Sequence, residues 1–126
     1  MKYGEWAQAE VDFLLGLITP GDTVLDVGAY IGTHTLAFAK QVGVGGEVYA
    51  FEPQPLSFEV LKRNIGQNVL NNVRLLNVAL SDDPRRAQIR RIDPRDSSNF
   101  AETTIFQADA PTSDAATGHI LSLIHI

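Results

Sequence analysis

No stretch restricts the possible folds more than Thr23-Val24-Leu25-Asp26-Val27-Gly28-Ala29-Tyr30-Ile31-Gly32-Thr33. Val24, Leu25 and Val27 bring the β-branched and apolar character of a short strand covered on both faces. Gly28 and Gly32 follow at once. Glycine there lets the backbone turn sharply and lets a ligand approach with no Cβ in the way. A helix opens directly after, its unpaired N–H groups and positive dipole end aimed at the turn. Downstream, Glu47-Val48-Tyr49-Ala50-Phe51-Glu52 reads as a second strand with an acid at its C-terminal end. That is where an α/β nucleotide site puts a carboxylate for two ribose hydroxyls. A lone glycine turn or strand-end acid is equally at home without a ligand. Strand, turn, helix, strand and acid in this order predict a nucleoside-cofactor site.

The spacing narrows the cofactor. A dinucleotide fingerprint is G-x-G-x-x-G. Here Gly28 and Gly32 are separated by three residues, and Tyr30 stands where the middle glycine belongs. A pyrophosphate would press against a backbone that carries a tyrosine side chain, which disfavours NAD and FAD. S-adenosylmethionine has the ribose and adenine but a methionine tail in place of the pyrophosphate.

At this point the chain resembles a known family. Asp26-Val27-Gly28-Ala29-Tyr30-Ile31-Gly32 is similar to the first motif of class I S-adenosylmethionine-dependent methyltransferases, and specifically to the FkbM-like family. Phe51-Glu52-Pro53-Gln54-Pro55, Leu61-Lys62-Arg63-Asn64 and Asn77-Val78-Ala79-Leu80-Ser81-Asp82 resemble its successive blocks. Tyr3-Gly4-Glu5-Trp6 with Glu10, and Pro20-Gly21-Asp22, resemble its lead-in, so the likeness covers residues 3 to 92. One departure stands out: the family usually has Asn where this chain has Tyr30.

The resemblance implies a Rossmann-like α/β fold and transfer of a methyl group from S-adenosylmethionine to a hydroxyl on a small molecule or sugar. It also implies site roles. Asp26 orients the methionine amino group, with a helix-capping or turn-stabilising carboxylate as the plainer alternative. Gly28, Ala29 and Tyr30 line the methionine tail, and Gly32 closes the loop. Glu52 accepts both ribose hydroxyls, Pro53 and Gln54 shape the adenine side, and Ala79, Leu80 and Asp82 make adenine contacts. No residue stands out as the catalytic base. His34 is a candidate, with a satisfied surface or capping histidine as the alternative. A nicotinamide-dependent oxidoreductase domain and a non-catalytic binding module remain the competing readings.

Composition excludes several classes. The chain has 126 residues, of which 44% are hydrophobic, as expected of one globular domain. A net charge of −5 argues against general affinity for nucleic acid or an anionic membrane. The absence of cysteine excludes disulfides, thiolate metal sites and a cysteine nucleophile, and no metal site is expected. Phe13-Leu14-Leu15-Gly16-Leu17-Ile18 is too short to span a bilayer, and no signal peptide is visible, so a cytoplasmic location is expected. Arg85, Arg86, Arg90, Arg91 and Arg95 interleave with Asp82, Asp83, Asp93 and Asp96, which reads as a solvated face.

Periodicity predicts the elements. Trp6, Glu10, Phe13, Leu14 and Leu17 fall on one helical face, and Thr19-Pro20-Gly21-Asp22 is a turn. Strands are predicted at 23–27, 47–52 and 73–78. Helices are predicted at 32–42, with Ile31, Thr35, Phe38, Ala39 and Val42 inward, and from Pro55 to Gln67, with Leu56, Val60, Leu61 and Ile65 buried. This β-α-β-α-β order implies parallel strands with right-handed crossovers. Residues 1–92 are expected to form the cofactor-binding half of a methyltransferase domain, including a short strand in Ala87–Ile92. Residues 93–120 are expected to be a polar loop toward a missing half. Leu121-Ser122-Leu123-Ile124-His125-Ile126 can be back-translated into a transposon-end sequencing adapter, so these residues are expected to be an artefact without specific packing. In such a truncated fragment the first strand would be an uncovered edge and methyl transfer would be absent.

Overall fold

The structure is a computed structural model that describes residues 3–81, 87–89, 105–107, 119–121 and 123–125. Helix α1 (Tyr3–Leu15) precedes strand β1 (Thr23–Val27), helix α2 (Thr33–Val42), strand β2 (Glu47–Phe51), helix α3 (Pro55–Gln67) and strand β3 (Val73–Leu76). β1 and β2 pair in parallel with Asp26 opposite Ala50 and Val27 opposite Phe51. β2 and β3 pair in parallel with Phe51 opposite Leu76. The sheet order is β1-β2-β3. A parallel βαβαβ unit behind a leading helix is the Rossmann-like class I methyltransferase arrangement.

Local chemistry sets the boundaries. Asp22 closes the turn before β1 by accepting the Thr19 N–H at 2.8 Å. α2 stops where Gly43 takes a φ of 67°, and Asn72 Nδ2 donates to the carbonyls of Ala39 and Gly43 at 2.8 and 2.9 Å. α3 begins with Pro55 at its first turn, where a missing N–H costs nothing.

All three helices serve one face of the sheet. Val24, Val48 and Val73 pack with Leu14, Leu15, Ile18, Phe38, Ala39 and Val42. Ala50, Val73 and Leu75 pack with Leu61 and Ile65. These strand positions alternate, as one face requires. The expectation that the first strand is covered on both faces is therefore corrected: Leu25 and Val27, pointing the other way, are 56% and 59% exposed. Among the described residues β1 pairs with β2 alone and forms the sheet edge.

Two helical faces also differ from expectation. On α1, Val11, Leu14 and Leu15 turn toward the core, whereas Glu10 and Phe13 are exposed, as is Leu17 beyond the helix end. The side chain of Trp6 lies outside the described residues. On α3, Ser57, Leu61 and Ile65 form the buried stripe at a spacing of four, and Leu56 and Val60 face solvent.

Beyond β3 come β4 (Ala79–Ser81), β5 (Ala87–Ile89), β6 (Ile105–Gln107), β7 (His119–Leu121) and β8 (Leu123–His125). β5 lies between β6 and β7, antiparallel to both, and β4 pairs with β8 in parallel. The stretch 93–120 expected to be a polar loop thus contains β6 and the start of β7, and the tail 121–126 expected to lack specific packing contains the end of β7 and β8. Strands of three residues carry too few positions to show a period. Residues 82–86, including Asp82 and Asp83, and Arg90, Arg91, Asp93, Arg95 and Asp96 lie outside the described residues. Among the described residues no helix is long and apolar enough to cross a membrane.

Candidate functional site

The C-terminal ends of β1 and β2 carry the site. After Val27 the chain turns through Gly28, and the N–H groups of Gly28 and Ala29 both donate to the Phe51 carbonyl, at 2.8 and 2.9 Å. The loop closes when the Gly32 N–H donates to the Ala29 carbonyl at 2.8 Å, and α2 starts directly after. Gly28, Tyr30 and Gly32 all have left-handed backbone, with φ of 81°, 53° and 95°.

The two glycines do different work. At Gly28 a Cβ would meet nothing within 4 Å, so the loop has open space there. At Gly32 a Cβ would lie 2.6 Å from Leu61 Cδ1, so glycine lets α3 close against the loop. Asn64 on α3 adds a second tie, donating from Nδ2 to the Ile31 carbonyl at 2.8 Å. Tyr30 holds its left-handed conformation between these ties. Asn tolerates that region better than other side chains with a Cβ. The backbone thus gives the Asn usual at this position a role independent of any ligand.

Glu52 is the centre of the arrangement. It is 6% exposed at the end of β2. Its Oε2 accepts the Tyr30 N–H and its Oε1 accepts the Gln54 N–H, both at 2.8 Å. One carboxylate therefore ties the glycine loop to the turn before α3. Its backbone is held as well: the Glu52 N–H donates to the Leu76 carbonyl at 3.0 Å. Asn77 Nδ2 donates to the carbonyls of Glu52 and Pro53 at 2.8 and 3.1 Å. Burial pushes the Glu52 carboxyl above its ordinary value of 4.5; the two N–H groups oppose this, and the charge of Asp26 adds to it.

Asp26, in β1, is 9% exposed, and its Oδ2 accepts the hydroxyl of Thr35 at 2.5 Å. It does not cap α2, whose N-cap is Gly32 without a side-chain hydrogen bond. Ala29 and Ala79 are buried, Pro53 and Leu80 half-buried, and Tyr30 37% exposed. Ala79 and Leu80 follow β3 in β4 and connect to the site along the chain through Asn77. Asp82 lies outside the described residues.

His34 stands in the first turn of α2. Its ring stacks on Phe38 at 5.9 Å between centroids, and its buried Nε2 has no hydrogen-bond partner among the described residues. Phe38 belongs to the core cluster on α1 and β2, so this ring is neither a satisfied surface histidine nor part of the glycine loop. Among the described residues no group of His, Cys, Asp or Glu is arranged for a metal ion.

Thr35, Asn64 and Asn77 are structural members of the site that sequence reasoning did not single out. Thr35 carried a signal, a hydroxyl at an inward position of an otherwise apolar helix face, and Asn64 and Asn77 stand in the blocks that resemble the family.

Comparison with known proteins adds the following. The family model described as Methyltransferase FkbM domain matches residues 26–125. A stretch of 75 residues, 60% of this chain, is 40% identical to the 31-O-demethyl-FK506 methyltransferase FkbM of Streptomyces tacrolimicus and covers 27% of it. A stretch of 76 residues is 32% identical to the Methanosphaera stadtmanae protein described as "Probable ribosomal RNA small subunit methyltransferase A", covering 60% of this chain and 26% of the relative. The matches thus span about a quarter of the length of these curated relatives. Among solved structures, a SAM-dependent methyltransferase from Aquifex aeolicus aligns with a TM-score of 0.53 at 28% identity, over 62% of this chain and 43% of that one. An rRNA methylase from Streptococcus thermophilus shares the fold, with a TM-score of 0.51 at 20% identity, over 58% of this chain and 39% of that one. The expectation that nucleic acid is no partner draws no support from a set of relatives that includes RNA methyltransferases.

Proposed function

The chain belongs to the methyltransferase FkbM domain family, and from that premise we propose that its glycine loop and Glu52 hold S-adenosylmethionine for methyl transfer to a hydroxyl on a small molecule or sugar. Glu52 is the observation that carries this reading. After accepting the Tyr30 and Gln54 N–H groups, each of its carboxylate oxygens keeps a second lone pair, enough for two vicinal ribose hydroxyls. The open space at Gly28 admits a ligand against the backbone of Gly28, Ala29 and Tyr30. Asp26 meets the methionine amino group. Pro53 and Gln54, followed by Ala79 and Leu80, form the adenine side. Gly32 contributes by seating the loop on α3.

The charge pattern fits. Two buried carboxylates, Asp26 and Glu52, flank the loop, and segments 26–35 and 52–54 contain no Lys or Arg. An ammonium and a sulfonium gain from such a field, and a pyrophosphate loses. This weighs against a nicotinamide dinucleotide. A binding module without catalysis would use the same site and differ only in lacking an acceptor.

S-adenosylmethionine supplies an already activated methyl group on its sulfonium. The chain's own task is alignment: Glu52 and the loop fix the ribose, and Asp26 fixes the tail, which together set the direction of the reacting bond. A hydroxyl acceptor must also lose its proton to a base, and no described residue is assigned that role. The hydroxyl acceptor is supported by the O-demethyl substrate in the name of the Streptomyces relative. The net charge of −5 weighs against a polyanion. A ribosomal RNA acceptor is the second reading, favoured by the Methanosphaera relative; saturable binding of a structured RNA would select it.

Calorimetric titration with S-adenosylhomocysteine tests the cofactor site. Glu52→Ala is expected to weaken binding by about 2–3 kcal/mol, the worth of charge-assisted hydrogen bonds left unmade to two buried hydroxyls. Glu52→Gln, which keeps one acceptor oxygen, should fall between. An alanine variant that binds as tightly as the parent contradicts the assignment.

A further inference from the structure

We propose that Thr35 is the positioning residue of the cofactor site: its hydroxyl holds Asp26 so that the other carboxylate oxygen faces the ammonium group of the ligand's amino-acid tail. The inference rests on the proposed role of Asp26 and assigns a part to a residue outside the ligand's reach.

Thr35 is fully buried, at 0% exposure. A helical threonine ordinarily turns its single donor back to a carbonyl three or four residues earlier. Here those carbonyls, Gly32 and Ile31, already accept the Leu36 N–H at 2.9 Å and Asn64 Nδ2 at 2.8 Å. The hydroxyl instead crosses from α2 to β1 and donates to Asp26 Oδ2 at 2.5 Å, the short length of a charge-assisted bond. Oδ1 has no hydrogen-bond partner among the described residues. A carboxylate pinned by one oxygen at the strand end, with the second oxygen available, is oriented before a ligand arrives. Without the pin, Oδ2 is a buried acceptor with no donor, and the group must rotate to find one.

A pair of ligands separates positioning from mere support of the fold. S-adenosylhomocysteine and 5′-methylthioadenosine share the adenine and ribose, but only the first has the amino-acid tail. Both are titrated calorimetrically into the full chain and its variants, with thermal melts alongside. Thr35→Val keeps the shape and removes the donor. It is expected to weaken S-adenosylhomocysteine by about tenfold or more while changing methylthioadenosine by less than about twofold. Thr35→Ser, which restores the hydroxyl, should bind both like the parent. Should Thr35→Val melt below the working temperature, Thr35→Cys, with only a weak thiol donor, is expected to show the same selective loss.

Equal losses for the two ligands would make Thr35 a structural residue only and overturn the proposal, as would no loss for either. A parent chain that binds methylthioadenosine as tightly as S-adenosylhomocysteine would overturn it too, by removing the tail contact while leaving the ribose site in place. A parent that binds neither ligand defeats the cofactor reading itself.

Discussion

Glu52 ties the glycine loop to the turn before α3, the proposed ribose contact would be a second job for the same carboxylate, and its titration bears on both. Burial holds its pKa above 4.5 in the folded protein, so between 4.5 and the raised value the folded state binds more protons than the unfolded one. Its contribution to stability is therefore greatest below 4.5 and is lost as pH rises through the raised value. Glu52→Gln resembles the protonated parent and has no such dependence. The melting temperature of Glu52→Gln minus that of the parent should grow from pH 4 to pH 7; a flat or falling difference would show that burial does not govern this group. Ligand binding runs the other way, because ribose hydroxyls donate to the charged form. The position of this residue was readable from sequence, since a strand-end acid after a glycine loop is a short-range pattern. Its partners were not. Tyr30 N–H lies 22 residues away, and the Asn77 contact to the Glu52 carbonyl spans 25 residues. Such side-chain-to-backbone bonds depend on loop conformations that no local period encodes.

The contact between the glycine loop and α3 decides whether the site keeps its shape. Gly32→Ala adds a Cβ 2.6 Å from Leu61 Cδ1 at a φ of 95°. It should cost about 2–4 kcal/mol, part overpacking and part left-handed strain. Leu61→Ala, at a fully buried position, should cost about 2–5 kcal/mol through its cavity. In the double variant the clash is gone, so the two losses should fall short of additivity by about 1–3 kcal/mol in chemical denaturation. Strict additivity would mean that the loop does not rest on Leu61. At this scale the parallel βαβαβ order was legible because each strand and helix carries its own period and its own stop signal, such as Gly43 or Pro55. The phase of α1 and α3 was not. Phe13, Leu56 and Val60 are apolar at helical spacing yet exposed, and the buried stripe runs through Ser57, a polar residue that hydrophobic counting ignores.

Among the described residues the helices cover one face of the β1-β2-β3 sheet, and β1 forms an edge with exposed apolar side chains. Leu25 and Val27 lie on that edge among residues that would pair readily with another chain. Leu25→Lys should reduce concentration-dependent association in light scattering while shifting stability by less than about 0.5 kcal/mol, as expected for an exposed position. Unchanged association would place the sticky surface elsewhere. Family membership supports the proposed cofactor at a general level, since the relative FkbM is named a methyltransferase, and the carboxylates of Asp26 and Glu52 beside the loop suit the proposed ligand's cationic groups.

Everything proposed for this loop depends on its preferring S-adenosylmethionine to a dinucleotide. Side-by-side calorimetric titration of the chain with S-adenosylhomocysteine and with NAD tests it most directly. Saturable binding of S-adenosylhomocysteine is expected, with much weaker or no binding of NAD. Tighter binding of NAD would contradict it.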